Sequence, residues 1–491
     1  MKTNLSWRSS FMNIKKTTFI SAIIFSLVLS ACSTNSITSV NKNTDTVSTQ
    51  KKVELDTKKP DAVVIGGSGS ESDDKVAGGS MVKEKLAYSA APRASEAASS
   101  SPSSDSSYSP VETTGSTTDI ASKPTSPTSE IAIAPQPAKR LSAGDKDDNA
   151  SFTEYLEYLS KMNSTLDKSQ IIKVDVSKRF TISVVDSSEK SVSDALVTVS
   201  SDGKDIFKAK TYSNGKTLFH PLAFNSDNDC QQQDCVTSDK YKVTVTKDGM
   251  TSTKEFTSSE KEWSLQFEGQ RKTLAQPNLD LVFLVDATGS MGDEISSIQK
   301  TIKDISSKIG SLESKPNIRY SLVSYKDRSD NYVVKRYDFT NNINLFQEVL
   351  DELSSGGGGD KPEAVNEGLS NAIEKLSWTE QDDSLKLVFL IADAGPKLGY
   401  SDDVKYPQSM NNAVKKGIKI YPIAASGLED AGEYVFRQLA QYTMSKFLFI
   451  TYGGDEQTGG TTPHQVGEFK ENNLDSLVVN IVKEELANLN K

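Results

Sequence analysis

From Asp280 onward the chain alternates uninterrupted apolar runs with amphipathic helical stretches, and no other feature of the sequence restricts its fold as strongly. The runs are Leu281 to Val285, Ile318 to Tyr325, Val333 to Asp338, Leu385 to Ile391, Ile418 to Ile423 and Phe447 to Tyr452. A strand that is apolar on both sides is buried on both sides, which is the pattern of a parallel sheet covered by helices. Helical stretches fall between most of the runs and again at Leu474 to Leu489. The predicted class is therefore α/β, a doubly wound, mostly parallel sheet of Rossmann-like design. Such sheets bind ligands in the crevice at the carboxyl ends of their strands.

The residues at those ends carry the chemistry. The first run leads straight into Asp286, Ala287, Thr288, Gly289, Ser290, Met291, and Asp393 closes the fourth after Ile391 and Ala392. One carboxylate and two hydroxyls in a tight turn, joined by a carboxylate from another strand, present oxygen ligands to a hard cation. Mg²⁺ suits them best, with Mn²⁺ and Ca²⁺ as alternatives. Few protein ligands leave water positions open, so an incoming carboxylate has a place to complete the octahedron. The plainer reading of Asp286 is a cap on the next helix, where a carboxylate favours the dipole; it does not account for Asp393. No Walker A ending is present, and Thr288 stands where a haloacid-dehalogenase-like phosphatase needs a second Asp. With His220 and His464 as the only histidines, a zinc hydrolase or a histidine-based triad is poorly supported.

These residues resemble the metal-ion-dependent adhesion site of von Willebrand factor A (vWA) domains, whose first motif is Asp-x-Ser-x-Ser. Asp286, Thr288 and Ser290 match it with Thr for the first Ser, and Asp393 matches the family's later Asp. The resemblance spans 277–491 and takes in Tyr325, Lys326, Asp327 and the glycine turn Gly356 to Asp360. It departs where the family commonly has a Thr: here stands Gly359, Asp360, Lys361, Pro362, Glu363. Asp360 would supply an oxygen instead, or Asp360 and Glu363 would form a capping box with Pro362 in the first helical turn. The resemblance implies a binding protein, not an enzyme, whose metal coordinates an Asp or Glu of a protein partner. The competing classes are a metal-dependent hydrolase, with Asp327 as the base that can be named, and a structural metal with binding left to the β-rich stretch before it.

The preceding half is of a different kind. Between 170 and 270, period-two alternation (Phe180, Ile182, Val184; Ala195, Val197, Val199; Tyr241, Val243, Val245; Trp263, Leu265, Phe267) is punctuated by Asp202-Gly203, Asn214-Gly215 and Asp248-Gly249. Short strands with such turns predict an antiparallel β-sandwich, similar in pattern to immunoglobulin-like or carboxypeptidase-regulatory-like modules. Before it, at 143–168, Phe152, Tyr155, Leu156, Leu159, Met162 and Leu166 recur at helical spacing, and Ser151 with Glu154 reads as a capping box. The stretch 32–142 is rich in Ser, Thr, Ala, Lys, Pro and Gly and predicts a disordered tether, because such a composition buries too little to offset chain entropy.

Residues 1–31 read as an export signal: Lys15 and Lys16, then an apolar run from Thr17 to Ala31 that is short for a membrane span. Met12 gives a more compact charged start than Met1. The ending Leu29, Ser30, Ala31, Cys32 resembles the lipobox of bacterial lipoproteins, which implies lipidation of Cys32, membrane attachment and a place in the cell envelope. Ser33 is not the Asp that the lipoprotein rule ties to inner-membrane retention, which points to the outer membrane of a Gram-negative cell. Cys230 and Cys235 are the remaining cysteines, and in an exported chain they are expected to form a disulfide; a metal site there would need ligands beyond nearby His220. The net charge of -10 without a basic patch speaks against nucleic acid as a partner.

Overall fold

The computed structural model describes residues 54–67, 82–84, 141–223, 238–271, 276–292, 294–380, 383–451 and 464–489. Met1, Met12, Cys32, Cys230 and Cys235 lie outside the described residues, and with them the expected signal, lipidation and disulfide.

In chain order the elements begin with β1 (Ala62–Gly66), β2 (Val82–Glu84), β3 (Ser142–Lys146) and α1 (Phe152–Thr165). There follow β4 (Phe180–Val185), β5 (Leu196–Ser201), β6 (Lys204–Lys210), β7 (Lys216–Phe219), β8 (Lys240–Lys247), β9 (Met250–Thr257) and β10 (Glu262–Gln266). The remainder is β11 (Asn278–Asp286), α2 (Ile295–Gly310), β12 (Asn317–Tyr325), β13 (Tyr332–Thr340), α3 (Ile343–Asp351), α4 (Val365–Glu374), β14 (Ser384–Ala392), α5 (Tyr406–Lys416), β15 (Ile418–Ala424), α6 (Asp430–Tyr442), β16 (Phe447–Thr451), β17 (Asn472–Asn473) and α7 (Leu474–Asn488).

Among the described residues one sheet has the order β17-β3-β16-β15-β14-β11-β12-β13-β1-β2. Its centre is parallel: β11 pairs in parallel with β12 on one side and β14 on the other, and β15 and β16 continue the series. The six apolar runs of the sequence are six of these strands. β11 is buried along nearly its whole length. Its alternate side chains serve two cores: Leu281, Phe283 and Val285 face the core shared with α2, α3 and α7, and Val282 and Leu284 the one shared with α4, α5 and α6. Each such side chain contributes roughly 1.5–3 kcal/mol of burial, so the central strands are fixed in register by both faces at once. The chain order reverses between β11 and β14, and that switch point opens the crevice at their carboxyl ends.

Two edges of this sheet come from stretches for which the sequence predicted no strand. β1 lies inside the expected tether and pairs antiparallel with β13, from Ala62 opposite Tyr337 to Ile65 opposite Val334. Its Ala-Val-Val-Ile run is a short apolar island in polar low-complexity surroundings, and a sheet edge gives it both hydrogen bonds and a surface. β3 reads Ser-Ala-Gly-Asp-Lys, with no strand pattern at all, and pairs antiparallel with β16. Tertiary context makes it a strand: a Cβ on Gly144 would lie 2.4 Å from the Phe449 ring, so the backbone passes where a side chain has no room.

Helix α1 forms over the predicted stretch and buries Tyr155, Tyr158, Leu159 and Met162. The capping box expected for it is absent. Ser151 makes no side-chain cap, Glu154 instead pairs with Lys146, and Asp147 accepts from the backbone N–H groups of Asn149 and Ala150 just upstream.

Strands β4 to β10 form two small sheets, β10-β4-β7 and β6-β5-β8-β9. Their inner faces meet in an aromatic cluster around fully buried Trp263, whose ring centroid lies 4.4 Å from Phe180 and 5.3 Å from both Tyr241 and Phe256. The expectation of a purely antiparallel sandwich is corrected in one respect, since β10 runs parallel to β4. Period-two alternation fixes which face of a strand is buried but carries no information about its direction.

This two-sheet unit docks on the amino ends of the central strands. Lys247 reaches Asp383 at 3.2 Å beside the start of β14, and Ser193 donates to the same carboxylate. Lys419 at the start of β15 pairs with Glu485 of α7, which also accepts from Ser213 and Tyr421. The His220 ring stacks on Tyr442 at the end of α6. The crevice at the opposite end of the sheet is left free of it.

Candidate metal centre

The first strand delivers Asp286 to the crevice fully buried. Its Oδ1 accepts from the backbone N–H of Thr288 at 2.9 Å and from the Thr288 hydroxyl at 2.7 Å, while Tyr325 donates to Oδ2 at 3.2 Å. The Thr288 and Ser290 hydroxyl oxygens are 3.2 Å apart. Helix capping does not describe Asp286: α2 starts later, after Glu294, and the carboxylate turns inward to its own loop.

Asp393 comes directly after β14 and is also buried. Its Oδ2 lies 3.2 Å from the Lys361 ammonium, and its Oδ1 is buried with no hydrogen-bond partner. Asp286 feels its neighbour: burial, and then the charge of Asp393, push Asp286 up to about 7. Two buried carboxylates close enough for the charge of one to raise the other, one of them with an unpartnered oxygen, and two hydroxyls beside the first are donors that suit a divalent cation.

A third carboxylate joins them, one to which the sequence pattern assigned no metal role. Glu363 is buried, its Oε2 has no hydrogen-bond partner, and burial followed by the charges of Asp286, Asp327, Asp330 and Asp393 push it up to about 8. It is held in place through its backbone: its N–H donates to Gly395 and its carbonyl accepts from Lys397, beside Asp393. Asp360, the candidate named from sequence, stays outside. It is exposed, and both its oxygens lie 3.2 Å from Lys397. Nor do Asp360 and Glu363 form a capping box, because α4 begins only at Val365 behind Ala364. Glu363 is the buried carboxylate of this segment, and its place next to the strand end of Asp393 was not readable from spacing.

The glycine run explains itself in this setting. Gly356, Gly357, Gly358 and Gly359 have φ of 152°, 80°, 87° and 100°. A Cβ on Gly358 would lie 2.8 Å from Glu363 Oε1 and 3.1 Å from Thr288 Cβ, so only glycine lets this loop pass between the two. The loop is laced to the Asp286 turn by Gly289 N–H to the Gly357 carbonyl and Gly356 N–H to the Ala287 carbonyl. Asp330 clamps it from behind, accepting from Gly358 N–H at 2.8 Å and from Asp327 N–H at 2.9 Å.

Asp327 itself is engaged, taking Lys397 at 2.9 Å and the Tyr400 hydroxyl at 2.9 Å. His220 is buried at the two-sheet interface and His464 lies beside Glu433, both away from the site. Among the described residues no three His, Cys, Asp or Glu side chains converge as a conventional metal cluster. The candidate donors here are mixed: Asp286 and Asp393 are complemented by the hydroxyls of Thr288 and exposed Ser290, and Glu363 lies near enough to feel both aspartates.

The raised carboxylates fix the sign of a pH effect. Without metal the folded protein holds protons on Asp286 and Glu363 that the unfolded chain has already released, so its stability rises as pH falls through about 8 and 7. A cation must displace those protons. Its stabilising effect should therefore be largest at about pH 8 and shrink towards about pH 6, which unfolding temperatures with and without Mg²⁺ at each pH will show.

Comparison with known proteins places this region. The family described as von Willebrand factor A domain matches residues 280–450. The chain is 30% identical over 158 residues to alpha-protein kinase vwkA of Dictyostelium discoideum, covering 31% of this chain and 24% of that protein. It is 29% identical over 121 residues to a putative ariadne-like RING finger protein of Acanthamoeba polyphaga mimivirus, covering 25% of this chain and 11% of that one. The chain thus spans a quarter or less of the length of these relatives. Among solved structures it is similar to proximal thread matrix protein 1 of the mussel byssus, with a TM-score of 0.27 and 14% identity over 35% of this chain and 48% of that one. It is also similar to the pilus adhesin SpaC of Lactobacillus rhamnosus GG, with a TM-score of 0.30 and 13% identity over 51% and 33%. These structural likenesses say nothing of what this chain binds. Family match, strand order and the Asp286 turn agree that residues 280–450 of this chain are a von Willebrand factor A domain.

Proposed function

We propose that the protein is a lipid-anchored binding protein of the cell envelope that holds a divalent cation, Mg²⁺ foremost, and offers it to an Asp or Glu of a protein partner. Asp286, Thr288, Ser290 and Asp393 would hold the ion, with Glu363 beside them. The observation that carries this reading is the pair of buried, unpartnered oxygens, Asp393 Oδ1 and Glu363 Oε2, gathered at the switch point of the sheet. When bound, the cation supplies an electrophilic position for a carboxylate oxygen from outside. Ser290, Gly289 and Gly359 are exposed around that position, so a partner's side chain has a way in.

Binding is favoured over hydrolysis by Asp327. Asp327, the base named for the hydrolytic reading, is already occupied by Lys397 and Tyr400, and no histidine among the described residues lies at the site. The two-sheet unit, read as an immunoglobulin-like module, docks at the far end of the domain and serves best as a spacer. The anchor rests on Leu29 to Cys32, the outer-membrane location on Ser33, and the reach on the low-complexity stretch between anchor and domain.

The test is capture of envelope proteins on the immobilised protein with Mg²⁺ and with EDTA. A partner retained only with Mg²⁺, and lost with Asp286→Ala, is the expected result. Retention that ignores both chelation and the substitution would move the binding surface elsewhere on the molecule.

A further inference from the structure

Asp330 joins the glycine loop of the site to a strand from a distant part of the chain. Its Oδ2 accepts from Gly358 N–H at 2.8 Å, and a Cβ on Gly357 would lie 2.0 Å from its Oδ1. On its main-chain side, a Cβ on Gly67 would lie 2.0 Å from the Asp330 carbonyl oxygen and 3.0 Å from that of Arg328. Two glycine backbones thus press on one residue, the first in the loop that passes between Thr288 and Glu363, the second just past β1. β1 arrives there by pairing with β13, with Gly66 opposite Tyr332 at the crevice end of the sheet. At the far end of β13 the same segment is stapled by Asp56. One carboxylate oxygen of Asp56 accepts from the Thr340 hydroxyl at 2.8 Å and the Asn341 N–H at 2.9 Å. Its own N–H donates to the Asn341 side chain at 2.7 Å, its carbonyl accepts from the Asn342 side chain at 2.9 Å, and Lys59 pairs with Glu352. Along this segment Ile65 alone is buried, Ala62, Val63 and Val64 are half-buried, and Asp56 is exposed. A segment held by an exposed polar staple, one edge pairing and one buried side chain opens at far less cost than the central strands.

We propose that residues 55–67 are a regulatory strap, whose docking on β13 holds Asp330 against the glycine loop and so sets the shape of the metal site. For the metal the proposal rests on the binding reading above; for the loop it stands by itself. With the strap docked, Gly67 walls in the main chain of Asp330 while Gly357 walls in its side chain. Release of the strap removes the first wall, the turn at 328–330 gains room to shift, and the Gly358 bond weakens with it. The coupling is reciprocal: whatever steadies the loop, a bound cation included, steadies the strap by the same factor.

Amide hydrogen exchange on the full chain in EDTA tests the strap without the metal. Asp56→Ala removes the staple at the far end of β13, roughly 25 Å from the Asp330 end at about 3.3 Å per residue. It should speed exchange of the peptides carrying β1 and Gly356 to Gly359 by about 10-fold or more, while β11 keeps its protection. Asp56→Asn, which keeps the oxygen that accepts both bonds, should stay close to the wild type. Val64→Pro, which breaks the β1 pairing from within, should reproduce the Asp56→Ala result. In Mg²⁺ titrations the two loosened variants should bind the metal at least about 5-fold more weakly, and Mg²⁺ should slow exchange in β1 of the wild type. A β1 opened to exchange beside a glycine loop still protected would overturn the proposal, as would a β1 that neither substitution loosens. A loosened loop with unchanged Mg²⁺ affinity would overturn the strap's hold on the metal site. Failure of the wild type to bind Mg²⁺, with the loop answering to the strap in EDTA, would overturn the metal-binding reading instead.

Discussion

Arg437→Ala should lower the stability of the folded protein by about 3–5 kcal/mol and its unfolding temperature by about 10 °C. Arg437 is 1% exposed and lies in α6. Its guanidinium grips Asp148 with two bonds, Nε to Oδ2 at 2.9 Å and Nη2 to Oδ1 at 2.6 Å, and donates from Nη1 to Glu433 at 3.2 Å and to the Gln465 carbonyl at 2.8 Å. It also lies 3.7 Å over the Tyr158 ring of α1. One side chain therefore ties together α6, the segment between β3 and α1, α1 itself and the approach to α7. Truncation strands buried Asp148 and takes one partner from buried Glu433, which keeps His464 and the Gln465 N–H, and the uncompensated charge of Asp148 supplies most of the loss. Asp148→Asn combined with Arg437→Ala should cost less than the two single changes added, because the second change relieves part of the charge that the first leaves behind. Thermal or urea unfolding measures both.

Asp286→Asn should do the opposite to the metal-free protein. The amide keeps an oxygen for the Thr288 N–H and hydroxyl but removes a charge that burial and Asp393 hold at about 7. At about pH 8 that charge is present in the folded protein and destabilises it, so its removal should add on the order of 2–4 kcal/mol in EDTA. The same change should erase the stabilisation by Mg²⁺. A gain of stability coupled to loss of the metal response is the signature of a residue kept under electrostatic strain for a ligand; a plain loss of stability with the Mg²⁺ response intact would assign Asp286 a structural role.

The sheet was legible because its central strands are buried on both faces, and short apolar runs such as Leu-Val-Phe-Leu-Val and Leu-Val-Phe-Leu-Ile, alternating with amphipathic helical stretches, are the pattern of covered parallel strands. The edges were not. β3 has no strand composition and exists because Gly144 fits against Phe449, and β1 is a five-residue island whose partner lies far along the chain. At the site, Asp286, Thr288, Ser290 and Asp393 could be named because strand ends dictate where their side chains go. Asp360 was named as a possible oxygen donor and Glu363 only as its capping partner, because a loop of four glycines sets the direction of the residues after it. Which of the conformations open to glycine that loop takes is settled by its bonds to Asp330, Ala287 and Gly289, distant in sequence. Docking of the two-sheet unit through Asp383 and Glu485 was invisible for a similar reason: the buried pair Lys247–Asp383 looks, in sequence, like two surface charges, and the Ser213 hydroxyl that meets Glu485 like any surface serine.

Calorimetric titration of Leu55–Lys491, which forms one compact unit, with Mg²⁺ at about pH 8 bears most directly on the metal site. A single saturable site in the wild type that disappears in Asp286→Ala is the predicted result. No binding at saturating metal, or equal binding in the variant, would contradict it.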